Sequence, residues 1–126
     1  MNTLVLSIGS NSRDREWQMR HCIEWLKHIL SSVKVSSIYN SVAVNNRDTD
    51  YLNAVMIACT KKGLEDISAM MKQYETVCGR TPASKLQGEI PIDIDIVLWN
   101  NDVIRQRDFA QQYFQRGWQE LKEVEI

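Results

Sequence analysis

The stretch Ile90-Pro91-Ile92-Asp93-Ile94-Asp95-Ile96-Val97-Leu98-Trp99 constrains the fold more than any other part of this chain. Isoleucine and aspartate alternate from Ile92 to Ile96, and a period of two sends the two residue types to opposite faces of a β-strand. The isoleucines point into a core. Asp93 and Asp95 share the other face, with Cα atoms roughly 7 Å apart. Aspartate is depleted in strands, and like charges at this spacing repel. The pair needs a counter-charge, and a divalent cation is the natural one. The competing reading is a half-exposed strand whose wet face happens to carry aspartate.

The other periodicities surround this strand with a mixed fold. Thr3 to Ile8 is short and apolar and runs into Gly9-Ser10-Asn11-Ser12, a strand entering a turn. Ser12 or Asp14 is placed to cap a helix whose buried stripe is Met19, Cys22, Ile23, Leu26, Ile29 and Leu30. Val33 to Val44 and Tyr51 to Thr60 read as strands that pair antiparallel across a polar loop. A second helical stripe runs from Leu64 through Ile67, Met70, Met71, Tyr74 and Val77 to Cys78 and stops at Gly79. Arg80 to Glu89 has no periodicity and reads as a mobile loop. Val103-Ile104 starts a short strand, and Gln111 to Glu123 reads as a helix broken at Gly117. The order β-α-β-β-α-β, with additions at the end, predicts a ferredoxin-like α+β fold. Its sheet is mainly antiparallel with the helices on one face, in a single domain over residues 1–126.

Composition excludes several functions. The 126 residues carry 15 Lys+Arg against 16 Asp+Glu, a net charge of -1, so there is no basic footprint for nucleic acid or an anionic membrane. No run approaches the roughly 20 apolar residues of a membrane span. The N-terminus lacks a basic segment and reads as a strand, not a signal peptide, so a cytoplasmic protein is expected. Cys22, Cys59 and Cys78 are odd in number and lack ligand spacing, which fits reduced thiols better than disulfides or zinc. His21 and His28 lie two helical turns apart, roughly 10 Å, and cannot share an ion. Hard carboxylate oxygens without His or thiolate nearby suit magnesium. Gly9-Ser10-Asn11 ahead of a helix is either a turn plus cap or a set of amides for an anion; it is no P-loop, which requires Gly-Lys-Ser/Thr.

Six segments in order, Ile8-Gly9-Ser10-Asn11, Ser36-Ser37-Ile38-Tyr39, Asp50-Tyr51-Leu52-Asn53-Ala54, Cys78-Gly79-Arg80, Ile92-Asp93-Ile94-Asp95-Ile96 and Arg116-Gly117-Trp118, resemble the 6-hydroxymethyl-7,8-dihydropterin pyrophosphokinases of folate biosynthesis. The likeness runs from Leu4 to about Leu121. It implies transfer of pyrophosphate from ATP to the hydroxymethyl group of a dihydropterin, with AMP leaving. It implies magnesium, two ions with ATP, on Asp93 and Asp95. On the catalytic and nucleotide side it implies Arg80, Ile96 and Arg116; Lys85, the only Lys between Arg80 and Arg105, is either a substitute cation for that side or a solvated loop residue. On the pterin side it implies Ser41, Val44, Tyr51, Asn53 and Trp118, with Asn53 on the amide edge of the ring. A flat polar heterocycle wants stacking faces and an amide that donates and accepts, and a triphosphate wants metal ions and arginine forks.

The chain departs from that pattern mainly on the nucleotide side. Gln87-Gly88-Glu89-Ile90 stands where the resemblance implies Trp-Gly-Pro-Arg, so Ile90 replaces an arginine. Pro82 and Ala83 follow where further basic residues are expected, Ser41-Val42 replaces Thr-Pro, and Tyr113 replaces a His. Typical members continue for several tens of residues beyond the position of Ile126. Lost hydrogen bonds to charged phosphates cost about 1.5–3 kcal/mol each. Two further readings therefore stay open: a homologue that binds a pterin or nucleotide without transfer, and a structural or partner-binding α+β domain.

Overall fold

The structure is a computed structural model that describes residues 1–42 and 50–124. Its elements run β1 (Asn2–Ser10), α1 (Arg15–Ile29), β2 (Ser31–Val35), β3 (Tyr39–Ser41), β4 (Tyr51–Thr60), α2 (Leu64–Val77), α3 (Pro82–Leu86), β5 (Asp93–Trp99), β6 (Asp102–Val103), α4 (Gln106–Phe109) and α5 (Gln112–Val124). The sheet order is β2-β4-β1-β5-β6, with β3 also on β4 and every pairing antiparallel. This is the expected ferredoxin-like α+β arrangement.

β1 and β4 are buried on both faces because each face has its own core. Leu4, Leu6 and Ile8 of β1, Ala54, Met56 and Ala58 of β4, and Ile92, Ile94 and Ile96 meet Met19, Cys22, Ile23 and Leu26 of α1 and Ile67 and Met71 of α2. The alternate residues Val5 and Val55, with Val97 and Leu98, meet Phe114 and Leu121 of α5. The two expected helices thus share one face, and α5 covers part of the other.

Four local expectations are corrected. Val33 to Val44 is not one strand; the chain leaves the sheet between β2 and β3, and Ser36 bridges the gap. Its N–H donates to the Val55 carbonyl at 2.9 Å, and its hydroxyl accepts from the Val55 N–H at 2.9 Å. Neither Ser12 nor Asp14 caps α1 with its side chain; the Ser12 hydroxyl donates to Asp14 instead. Arg80 to Glu89 contains α3, whose start is closed reciprocally: the Thr81 N–H donates to Ser84 Oγ at 3.0 Å and the Ser84 N–H to Thr81 Oγ1 at 3.1 Å. Gly117 lies inside α5 without breaking it.

Gly117 is there because α5 packs too close for a side chain. A Cβ at this position would lie 2.6 Å from Val55 Cγ2 and 2.8 Å from the Tyr39 hydroxyl. That hydroxyl is wedged into the helix ladder. It donates to the Tyr113 carbonyl and accepts from the Gly117 N–H at 3.1 Å, two groups four residues apart that a plain helix would pair together. Glu120 completes the attachment by accepting from the Ser37 N–H and hydroxyl, both at 2.7 Å. The Ser36-Ser37-Ile38-Tyr39 segment thus fastens α5 to the sheet.

Candidate active site

Strand register places the candidate residues. Asn53 on β4, Gly9 on β1 and Asp93 on β5 stand in one row across the sheet. Val55, Ser7 and Asp95 form the next row. Residues directly opposite each other share a face, so both aspartates and Asn53 lie on the α5 side. With strands about 4.8 Å apart, Asn53 and Asp93 are about 10 Å apart at their Cα atoms, and only Gly9 lies between them. A Cβ on Gly9 would lie 3.2 Å from Asn53 Oδ1 and 3.6 Å from Tyr51 Cδ2. The amide oxygen and the tyrosine ring edge therefore border bare backbone. Asn53 is buried and donates through Nδ2 to Ser41 Oγ at 2.5 Å, which leaves Oδ1 on the Gly9 side.

Asp93 and Asp95 open on a cleft of about 600 Å³ at the edge of β5, lined also by Lys72, Glu75, Thr76, Arg80 and Arg105. Arg80 donates to Asp93 and lies 3.3 Å from Glu75 Oε2. Glu75 is buried and accepts from the Ile94 N–H at 2.8 Å, so it closes an open position on the β5 edge and braces Arg80 at once. Gly79 makes this possible. Its φ of +102° ends α2 in a Schellman turn, with the Gly79 N–H on the Thr76 carbonyl and the Arg80 N–H on the Glu75 carbonyl. The turn folds Arg80 back toward the acids. On the far side, Arg105 Nη2 lies 3.7 Å from Asp95 Oδ1.

Burial, then the charge of Asp93 and a hydrogen bond between the two carboxyls, push Asp95 up to about 8, with Arg105 opposing. The folded protein therefore keeps a proton on Asp95 from about pH 4 to about pH 8, where the unfolded chain has lost it. This stabilisation is full below the window and is lost as pH rises through it. With divalent ions chelated, stability is expected to fall through that window by at most about 1.4 kcal/mol per pH unit. Magnesium, which binds the carboxylate, is expected to lessen the fall. Thermal denaturation at several pH values, with chelator and with magnesium, checks both; a melting temperature that climbs through the window would contradict the protonation.

The carboxylate pair suits magnesium. Among the described residues no group of three or more His, Cys, Asp or Glu is placed to hold a metal. Two hard carboxylates with the remaining positions left to water and substrate phosphates is the donor set magnesium accepts.

The structure brings Asp93, Asp95 and Arg80 together, and Asn53, Ser41 and Tyr51 beside Gly9. Ile96 belongs chiefly to the core and reaches a smaller adjoining cavity of about 280 Å³ that also holds Lys72, Asp95 and Arg105. Lys85 falls in α3. Arg116 lies over the Tyr39 ring, 4.8 Å from its centroid, in a separate cavity with Ser41 and Tyr113. Trp118 stacks on Phe114 at 6.0 Å between centroids, with Lys122 over its ring. Val44 lies outside the described residues. Ile90 is buried, with both backbone groups tied to Asn11, so it lends the cleft no cation. Asn11 also donates through Nδ2 to the Gly88 carbonyl at 2.7 Å, and so the Gly9-Ser10-Asn11 turn clamps the end of the α3 segment.

Sequence reasoning missed Glu75, Lys72, Asp108 and Arg105. Glu75 had a usable signal: it lies four residues beyond Met71 and eight beyond Ile67, an acid on the buried stripe.

Carboxylates for a divalent ion, ringed by guanidinium groups for phosphate oxygens, define a class of phosphoryl-transfer site. The sequence model of the 7,8-dihydro-6-hydroxymethylpterin-pyrophosphokinase family matches residues 5–123. A 2-amino-4-hydroxy-6-hydroxymethyldihydropteridine pyrophosphokinase of Aquifex aeolicus is 34% identical over 108 residues, covering 85% of this chain and 67% of that protein. A mitochondrial folate synthesis bifunctional protein of Pisum sativum is 27% identical over 118 residues, 92% of this chain and 22% of that protein. The chain belongs to the 7,8-dihydro-6-hydroxymethylpterin-pyrophosphokinase family. Its chemistry is pyrophosphate transfer in folate biosynthesis. No helix among the described residues is long and apolar enough to cross a membrane.

Proposed function

We propose that this chain moves pyrophosphate from ATP to 6-hydroxymethyl-7,8-dihydropterin, with the pterin over Gly9 and the triphosphate in the cleft along β5. The row Asn53–Gly9–Asp93 carries this reading. It sets an amide and an acid about 10 Å apart on a floor without side chains, which suits a flat bicyclic ring reaching from one to the other. Asn53 would hold the amide edge of the ring, its orientation fixed by Ser41, and Tyr51 would border the ring. Trp118 would join only by turning away from Phe114.

Asp93 and Asp95 would hold magnesium, which when bound neutralises phosphate charge and orients the chain of phosphates. Arg80, braced by Glu75, would bind phosphate oxygens from one side of the acids. The reaction forms a bond from the hydroxymethyl oxygen to the β-phosphorus and breaks the bond from that phosphorus to the α,β-bridging oxygen. AMP departs with the bridging oxygen, and the hydroxyl proton passes to water. Alignment and charge stabilisation carry most of the rate in such a transfer.

AMP release from ATP and magnesium is expected only when the pterin is present. Asn53→Ala is expected to raise KM for the pterin by roughly tenfold or more, the cost of one well-placed buried hydrogen-bonding group, with KM for ATP little changed. Pterin binding without AMP release would replace this reading with that of a binding homologue.

A further inference from the structure

We propose that Arg105 is a phosphate-binding residue, the counterpart of Arg80 on the opposite side of the two aspartates; this rests on the function proposed above. The β5 strand carries a bulge. Leu6 pairs with Ile96 but Val5 pairs with Leu98, which leaves Val97 as the extra residue. Bulges bend a strand and re-aim nearby side chains. Here the Val97 carbonyl accepts from the Ile104 N–H at 2.9 Å and the Arg105 N–H at 3.4 Å. The bulge therefore fixes the Arg105 backbone beside the strand that carries the acids.

The side chain is held from behind. Arg105 Nε donates to Asp108, and Asp108 also accepts from the Tyr113 hydroxyl. The Asp108 side chain is only 14% exposed, whereas that of Arg105 is 49% exposed. At 3.7 Å, Arg105 Nη2 is too far from Asp95 for a hydrogen bond. The guanidinium is thus oriented by its inner edge while its outer donors face the cleft without being committed to Asp95. Arg80 enters the same cleft from the end of α2, and Lys72 lines it too. Arg105 and Lys72 also line the smaller cavity that continues past Asp95, so they stand where the two spaces meet. Lys72, Arg80 and Arg105 around Asp93 and Asp95, with Glu75 bracing Arg80, is an arrangement in which a metal-bound triphosphate satisfies both signs of charge.

The test uses Arg105→Gln, which removes the charge and the outer donors but keeps an amide at the level of Nε, and Arg105→Lys, which keeps charge, each checked by its melting temperature. Calorimetric titrations with magnesium measure α,β-methylene-ATP, AMP and the pterin separately. Arg105→Gln is expected to weaken the triphosphate analogue by roughly 10- to 100-fold while AMP and the pterin move less than about twofold. Arg105→Lys is expected to restore part of the loss. Equal weakening of all three ligands would show a structural role for Arg105 and overturn the proposal, as would a variant that binds the analogue like the parent. If the parent protein itself bound no triphosphate, the proposed function would fall and this assignment with it.

Discussion

Asp95→Asn is expected to lower the rate of AMP release by roughly 10³-fold, the scale on which removing one fixed electrostatic partner of a transfer site acts. The same substitution is expected to leave the fold intact and to raise its melting temperature by an amount that grows from about pH 4 and is complete above about pH 8. The opposite signs have one cause. Asp95 is pressed against Asp93 in a partly buried setting that disfavours its charge, and asparagine has the shape of the protonated acid. The charge costs the folded state stability, so its worth must lie in what it holds. Steady-state kinetics and thermal denaturation on one preparation give both values. A variant that kept the parental rate would show that this carboxylate touches neither the ion nor the phosphates.

The largest loss of stability is expected from Gly117→Ala. On an exposed helix this change stabilises by roughly 1 kcal/mol, because alanine is the better helix former. Here the new methyl group meets Val55 at 2.6 Å and Tyr39 at 2.8 Å, both in the packed interface under α5. Overpacking of that kind costs about 1–3 kcal/mol, and the helix must back away from the sheet to relieve it. The melting temperature is expected to drop by roughly 5–15 °C. Urea denaturation followed by tryptophan fluorescence checks the sign, which separates the two effects: a gain would mean that α5 does not press on β4.

The parts of the molecule that the sequence made legible are those whose chemistry repeats locally. The Ile/Asp alternation announced β5 and the face of its acids, and Gly79 marked the end of α2 because only a left-handed residue closes that turn easily. Asn53 and Arg80 were reached through motifs in register. Other features depend on contacts between distant segments. Arg105 reaches Asp95 through a bulge that no periodicity announces. Asn11 looked like a turn residue, yet its side chain serves Gly88 and Ile90, 77 and 79 residues away. Gly117 read as a helix breaker because its reason, the nearness of Val55 and Tyr39, belongs to a different strand pair.

The hydroxyl of Tyr39 has a consequence for the formation of α5. α5 closes one of its rungs through an atom supplied by a residue 74 positions earlier in the chain. That rung forms only where the helix meets Tyr39, and such distant closures are slow compared with local coiling. The middle turn of α5 therefore takes its native ladder only when docked on the sheet, so the helix owes part of its form to the strand beneath it.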